Sequence, residues 1–229
     1  MSQPLANAWI ERVAHDLRGP LSPMQTAVYL LREPAIDEAQ RDELLAVLER
    51  QIKRLSDMIG EFSDFGLGQA GRLVARCETV DIESLVADLV ASLQACRPQV
   101  VLDDDVRGVQ VQGDVLRLAQ LFRILLGMQL ARGQAAAVQA RLEASDGRLR
   151  MRCALPCAGA SDALAELLLA APHPDPPDDT LGFGLVIAGA IATAHGGSLR
   201  GRASDPDTLE FLLELPCAAQ RPGPGPEPD

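Results

Sequence analysis

Leu45, Leu48, Ile52, Leu55, Ile59 and Phe62 recur at steps of three, four, three, four and three. At 3.6 residues per turn such a series falls on one stripe of a helix, the seam of a coiled coil or helical bundle. A preceding stretch repeats the device with Ile10, Val13, Leu17, Leu21, Met24, Val28 and Leu31. Glu33-Pro34 ends this first helix, because a residue before proline is driven out of the α region. Asp37 supplies an N-cap for the second. Two helices cannot enclose a core, so each seam calls for a partner. The expected solution is a homodimer whose paired hairpins form a four-helix bundle. This hairpin takes residues 1–66, and the glycine-rich run Gly66–Gly71 marks the boundary.

Residues 72–216 read as a mixed domain. Strands are expected near Val74–Cys77, Val100–Leu102 and Val109–Gln112, with helices at Ile82–Leu93 and Val115–Arg132. Two further strands, Ala136–Ala144 and Arg148–Leu155, flank Ser145-Asp146-Gly147, a hairpin turn signal. A short helix at Ala163–Ala170 runs into a Pro- and Asp-rich loop, Pro172–Asp179. The apolar helix Phe183–His195 and a closing strand pair, Ser198–Ala203 and Leu209–Leu215, complete the domain. The expected fold class is α+β: a helical hairpin followed by an α/β sandwich of one mixed sheet backed by helices. Residues 217–229, rich in Pro and Gly, are expected to be a disordered tail.

Composition narrows the function. The 229 residues carry 32 acids against 21 bases, a net charge of −11. That balance argues against nucleic acid and against an anionic membrane surface. No apolar run approaches the ~20 residues of a membrane span, and no signal peptide is apparent. Five scattered cysteines without a paired CxxC argue against zinc and for a reduced cytoplasm.

Three histidines are present. His173, in the Pro/Asp loop, reads as an exposed loop residue, and His195, ahead of Gly196-Gly197, as a cap on the last carbonyls of its helix. His15 sits two residues from the seam position Leu17 and faces water. A neutral imidazole there is a competent nucleophile towards phosphorus, and Asp16 can hold its tautomer. Val13-Ala14-His15-Asp16-Leu17-Arg18-Gly19-Pro20-Leu21 resembles the H-box of bacterial sensor histidine kinases. Gly182-Phe183-Gly184-Leu185 with Ala194-His195-Gly196-Gly197 is similar to the last glycine box of that family's ATP-binding domain. The resemblance covers residues 5–216. It implies that His15 is the phospho-accepting histidine, with Asp16 its adjacent acid. Arg12, Arg18, Gly19 and Gln25 are then candidates for contact with response-regulator receiver domains.

The nucleotide site departs from the family pattern. Where the family's helix carries two asparagines, one of them a Mg²⁺ ligand, this chain has Ile124 and Met128, which offer a hard cation no oxygen. Gln129 lies one residue off, about 100° around the helix. The acid of the adenine-binding box is missing from Leu155-Pro156-Cys157-Ala158-Gly159. The loop that would close on ATP holds Asp175, Asp178 and Asp179 and no Lys or Arg. Gly182 and Gly184 remain as a remnant glycine box. Gly19 stands where many family members place the Thr or Asn that orients a hydrolytic water.

Three readings follow. The first is a cytoplasmic phosphotransfer protein that carries a phosphoryl group on His15 and exchanges it with receiver aspartates. It needs no cofactor, and an upstream hybrid kinase is a further expected partner. The second is an ATP-dependent sensor histidine kinase with Mg-ATP as cofactor. The third is a non-catalytic pseudokinase regulator. Only fourteen residues precede His15, so the signal is expected to arrive through a partner.

Overall fold

A computed structural model of the chain describes residues 3–74, 76–93, 97–130, 137–176 and 180–218. Three helices come first: α1 (Gln3–Arg18), α2 (Leu21–Leu30) and α3 (Glu38–Gln69). The single first helix expected from the seam is therefore split at Gly19-Pro20. Pro20 has no N–H for the carbonyl of Asp16, and its ring would crowd that carbonyl in a continuous helix. The amide of Gly19 takes the carbonyl instead, at 3.1 Å. Asp37 caps α3 as expected. Its carboxylate accepts from the Gln40 amide at 2.8 Å, and the Gln40 side-chain oxygen accepts from the Asp37 amide at 3.3 Å, a reciprocal capping box. α3 continues through the glycines expected to end it and stops before Gly71, whose φ of +65° no side chain favours.

The second part is built on a five-stranded mixed sheet of β2 (Gln99–Leu102), β4 (Gln139–Ser145), β5 (Arg148–Pro156), β6 (Ser198–Asp205) and β7 (Thr208–Pro216). The order is β2-β4-β5-β7-β6, with β2 parallel to β4 and the other pairs antiparallel. β1 (Glu78–Asp81) and β3 (Gln110–Gly113) pair apart from it as an antiparallel ribbon, so the first strand forms just after the stretch expected for it. Asp146 and Gly147, at φ +53° and +69°, make the β4–β5 turn with both central residues left-handed, as an Asp-Gly hairpin requires.

Alternation along the strands defines the core. Leu149, Met151, Cys153 and Leu155 of β5 face the same side as their register partners Leu215, Leu213, Phe211 and Leu209 of β7, and all are buried. Burial pushes the Cys153 thiol up to about 12. The helices α4 (Ile82–Ser92), α5 (Val115–Gly127), α6 (Asp162–Ala170) and α7 (Gly184–Ala194) complete this layer, with α6 and α7 on the sheet and α5 on α7. Among the described residues no helix is long and apolar enough to cross a membrane. Cys217 and Ala218, expected to begin the disordered tail, are instead tied to the domain, their amides donating to the Gly147 and Gln110 carbonyls at 2.8 and 2.6 Å. The rest of the tail from 219 onwards, Cys96, Asp178 and Asp179 lie outside the described residues.

His195 does more than cap α7. The ring is buried, with Nδ1 donating to the Ile191 carbonyl at 2.8 Å and Nε2 accepting the Asp114 amide at 3.1 Å. Asp114 in turn caps α5 through the amides of Leu116 and Arg117. One imidazole thus fixes the end of α7 against the start of α5, the two helices that flank the cavity described next.

Candidate functional site

His15 stands on α1 with its side chain 86% exposed, and Asp16 lies beside it. The Nδ1 atom is 3.2 Å from Asp16 Oδ1. An ionised carboxylate can only accept, so this contact places the proton on Nδ1 and leaves the Nε2 lone pair open to solvent. The Gly19-Pro20 break follows directly, so the helix past His15 begins afresh at Leu21.

The hairpin and the sheet domain meet at Phe183. Phe183, fully buried, opens α7 and packs against Trp9 of α1 and Phe62 and Phe65 of α3, with ring centroids 5.7, 6.3 and 4.4 Å away. The chain has only seven aromatic residues, so placing four here commits most of its aromatic area to one junction. Beside it, Arg117 of α5 donates to Asp64 of α3 at 2.7 Å, and Gln120 donates to the other oxygen of Asp64 at 2.6 Å. Both partners of the ion pair are mostly covered, at 23% and 19% exposure. The Glu61 carboxylate accepts from the amides of Leu181 and Phe183 at 2.7 and 2.6 Å.

Between α3, α5 and the glycine turn lies a cavity of about 650 Å³. Ile124 and Met128 line it, together with Leu168, Leu185, Gly182 and Gly184, and so do the oxygen-bearing side chains of Asp57, Glu61, Asp64, Gln120 and Gln129. α5 ends at Gly127 rather than at the expected Arg132, so Gln129 lies past the helix and its place does not follow the 100° expected for it. The two positions where the resemblance calls for asparagine oxygens therefore present an aliphatic and a thioether side chain to this space. At these two positions a hard cation finds no oxygen ligand. Gly182 is required by the backbone alone: its φ is +82°, and a Cβ would stand 2.8 Å from the His173 carbonyl oxygen. At Gly184 a Cβ would meet Ile124 at an ordinary 3.5 Å.

Of the residues expected to meet a partner, Arg18, Gly19 and Gln25 are exposed along α1 and α2. Arg12 is turned inward instead. It is half-buried and its Nη1 donates to the Pro174 carbonyl at 2.9 Å, so the loop that lacks its own bases takes a cation from the hairpin. His173 also departs from expectation. It is half-buried, because its amide donates to the Gly182 carbonyl at 2.8 Å and its Nδ1 accepts the Asp175 amide at 3.1 Å. Glu61, Asp64 and Arg117, which tie the hairpin to the sheet domain beside the cavity, are not singled out by the sequence. Each pairs across more than forty residues of chain, and no local spacing signals that.

Residues 6–71 match the His Kinase A (phospho-acceptor) domain. The chain is 29% identical over 231 residues to the sensor protein ChvG of Rhizobium meliloti (strain 1021), covering 90% of this chain and 39% of that protein. It is 27% identical to the signal transduction histidine-protein kinase/phosphatase MprB of Mycobacterium sp. (strain KMS), covering 93% and 44%. The chain thus spans about two fifths of the length of these curated relatives. In fold it is similar to the Acinetobacter baumannii histidine kinase AdeS, with TM-score 0.63, 16% identity and coverage of 90% of this chain and 98% of that one. It is similar too to histidine kinase ThkA, solved in complex with response regulator protein TrrA, with TM-score 0.65, 16% identity and coverage of 91% and 61%. Residues 6–71 are therefore a His Kinase A (phospho-acceptor) domain, joined to a domain with the fold of a histidine-kinase ATPase.

Proposed function

We propose that this chain acts in two-component signalling by holding a phosphoryl group on His15 and exchanging it with the aspartate of a response-regulator receiver domain. The ATPase-fold domain serves as a scaffold in this reading, with no nucleotide cofactor. In the forward step the Nε2 lone pair attacks phosphorus, the P–O bond of the acyl phosphate breaks, and the aspartate leaves with the electron pair. The ring keeps its Nδ1 proton, and Asp16 beside it stabilises the positive charge that the ring gains. Phosphoryl transfer depends chiefly on positioning and charge, so one exposed imidazole on a rigid helix suffices. The observation that carries this reading is the pair Ile124 and Met128 in the cavity, which leaves no oxygen ligand at either asparagine position.

ATP-dependent autophosphorylation of His15 is the second reading, and the comparisons favour it. MprB is named a kinase/phosphatase, and both solved structures described above are of histidine kinases. Under either reading the receiver is the partner, which the ThkA–TrrA complex supports by likeness of fold. The half-exposed apolar residues Leu45, Ile52 and Ile59, seven apart on α3, support a homodimer. The cytoplasm, expected from unpaired thiols, accompanies the proposal.

Purified wild type and His15→Ala, each mixed with phosphorylated receiver domains, test the transfer step. An acid-labile label is expected on the wild type and none on the variant. Label on neither protein across a panel of receivers would favour the pseudokinase reading, and equal label on both would remove His15 from the chemistry.

A further inference from the structure

Backbone amides at the start of a helix attract anions, because they lack intrahelical partners and stand at the positive end of the peptide dipoles. In this chain the turn into α7 already holds one. Both oxygens of Glu61 are engaged, one by the Leu181 amide at 2.7 Å and the other by the Phe183 amide at 2.6 Å. The carboxylate comes from α3, 120 residues away in sequence, so the contact joins the two parts of the protein. It is not isolated. Phe62 and Phe65, on the same stretch of α3, pack on Phe183 itself, and Asp64 holds Arg117 and Gln120 of α5. Between the two amides, Gly182 takes the left-handed φ of +82° and bonds back to His173.

We propose that Glu61 is an internal latch: its carboxylate occupies the amides of the glycine turn, ties that turn to the hairpin, and shuts it to phosphate oxygens. Docking of the sheet domain on α3 and seating of a phosphate chain on this turn are then mutually exclusive. The latch rests on the reading that the turn does not serve Mg-ATP in the docked state, and it explains how the turn stays paired without one. Charge-assisted bonds from two amides to one carboxylate are strong, and a group that competes must displace both. An uncharged isostere cannot replace it: the side chain of Glu61→Gln would present one oxygen and one NH₂ to two N–H donors, leaving a donor facing a donor.

The full chain is compared as wild type, Glu61→Gln and Glu61→Ala, by hydrogen exchange at the Leu181 and Phe183 amides and by fluorescence of Trp9. Trp9 is the only tryptophan and lies 5.7 Å from Phe183, so its emission reports whether the turn is docked. In both variants the two amides are expected to exchange at least tenfold faster and Trp9 emission to shift. Inorganic tripolyphosphate is expected to slow exchange at these amides in Glu61→Ala and to leave the wild type unchanged. Unaltered exchange in both variants would overturn the latch, as would equal protection of wild type and variant by tripolyphosphate. Labelling of His15 by Mg-ATP would fail the receiver-fed reading separately, since these readouts involve neither His15 nor a receiver.

Discussion

Gly113→Ala is expected to destabilise the sheet domain by about 3 kcal/mol and to lower its Tm by roughly 10 °C. A Cβ at Gly113 would stand 2.3 Å from Cδ2 and 2.7 Å from Nε2 of His195, with Leu118 at 2.9 Å on another side. The ring cannot swing away freely. It is held at both nitrogens, by the Ile191 carbonyl and the Asp114 amide, so relief of the clash costs at least one buried hydrogen bond. The damage should also spread, because the same ring sets α7 against α5 and hence the walls of the cavity. Gly60→Ala makes the opposing control. A Cβ there meets nothing within 4 Å on α3, and the helix gains about 1 kcal/mol from replacing glycine. Thermal denaturation of the two variants beside wild type checks the sign of each. A Gly113→Ala protein as stable as wild type would show that His195 does not pin the two helices.

Ile52→Asp is expected to weaken self-association at least a hundredfold while leaving the fold of each chain intact. In the single chain Ile52 is 52% exposed, between Leu45 at 44% and Ile59 at 54%. A charge at so open a site costs an isolated chain under about 0.5 kcal/mol. In the core of a four-helix bundle the same aspartate, met by its own copy, would lose its water without gaining a counter-ion. At about 1.4 kcal/mol per tenfold in affinity, a penalty near 3 kcal/mol gives the stated factor. Sedimentation of wild type and variant over a range of concentrations measures it. Identical masses throughout would mean that the α3 stripe is not the dimer seam.

The parts legible in the sequence are those written in local spacing. The α3 stripe, the Asp37 cap, the Asp146-Gly147 turn and the exposure of His15 all follow from periodicity, capping chemistry or φ preference, and the structure has each of them. Where two local signals compete, the sequence is less decisive. Gly66 and Gly68 signal a break, yet α3 continues through them, because Gly68 lets α7 approach: a Cβ there would touch Ala190 at 3.1 Å. Gly19-Pro20 lies inside an apolar repeat that argues for one helix, and the missing N–H of proline wins. Contacts between distant segments leave no local trace. Trp9, Glu61, Asp64, Arg117 and Phe183 come together only when the hairpin meets the sheet domain. Phe62 belongs to the seam by its spacing, and it also reaches Phe183. Arg12 reads as a docking residue for the same reason: its place on α1 says nothing of Pro174, far along the chain.

In the proposed function His15 receives its phosphoryl group from a receiver aspartate and not from nucleotide held by this chain. Incubation of the purified protein with γ-labelled Mg-ATP and no receiver, as wild type and as His15→Ala, tests it most directly. No acid-labile label is expected on either protein. Label that appears on the wild type and is lost in His15→Ala would contradict it, and would establish an ATP-dependent kinase working with Ile124 and Met128 in place of the asparagines.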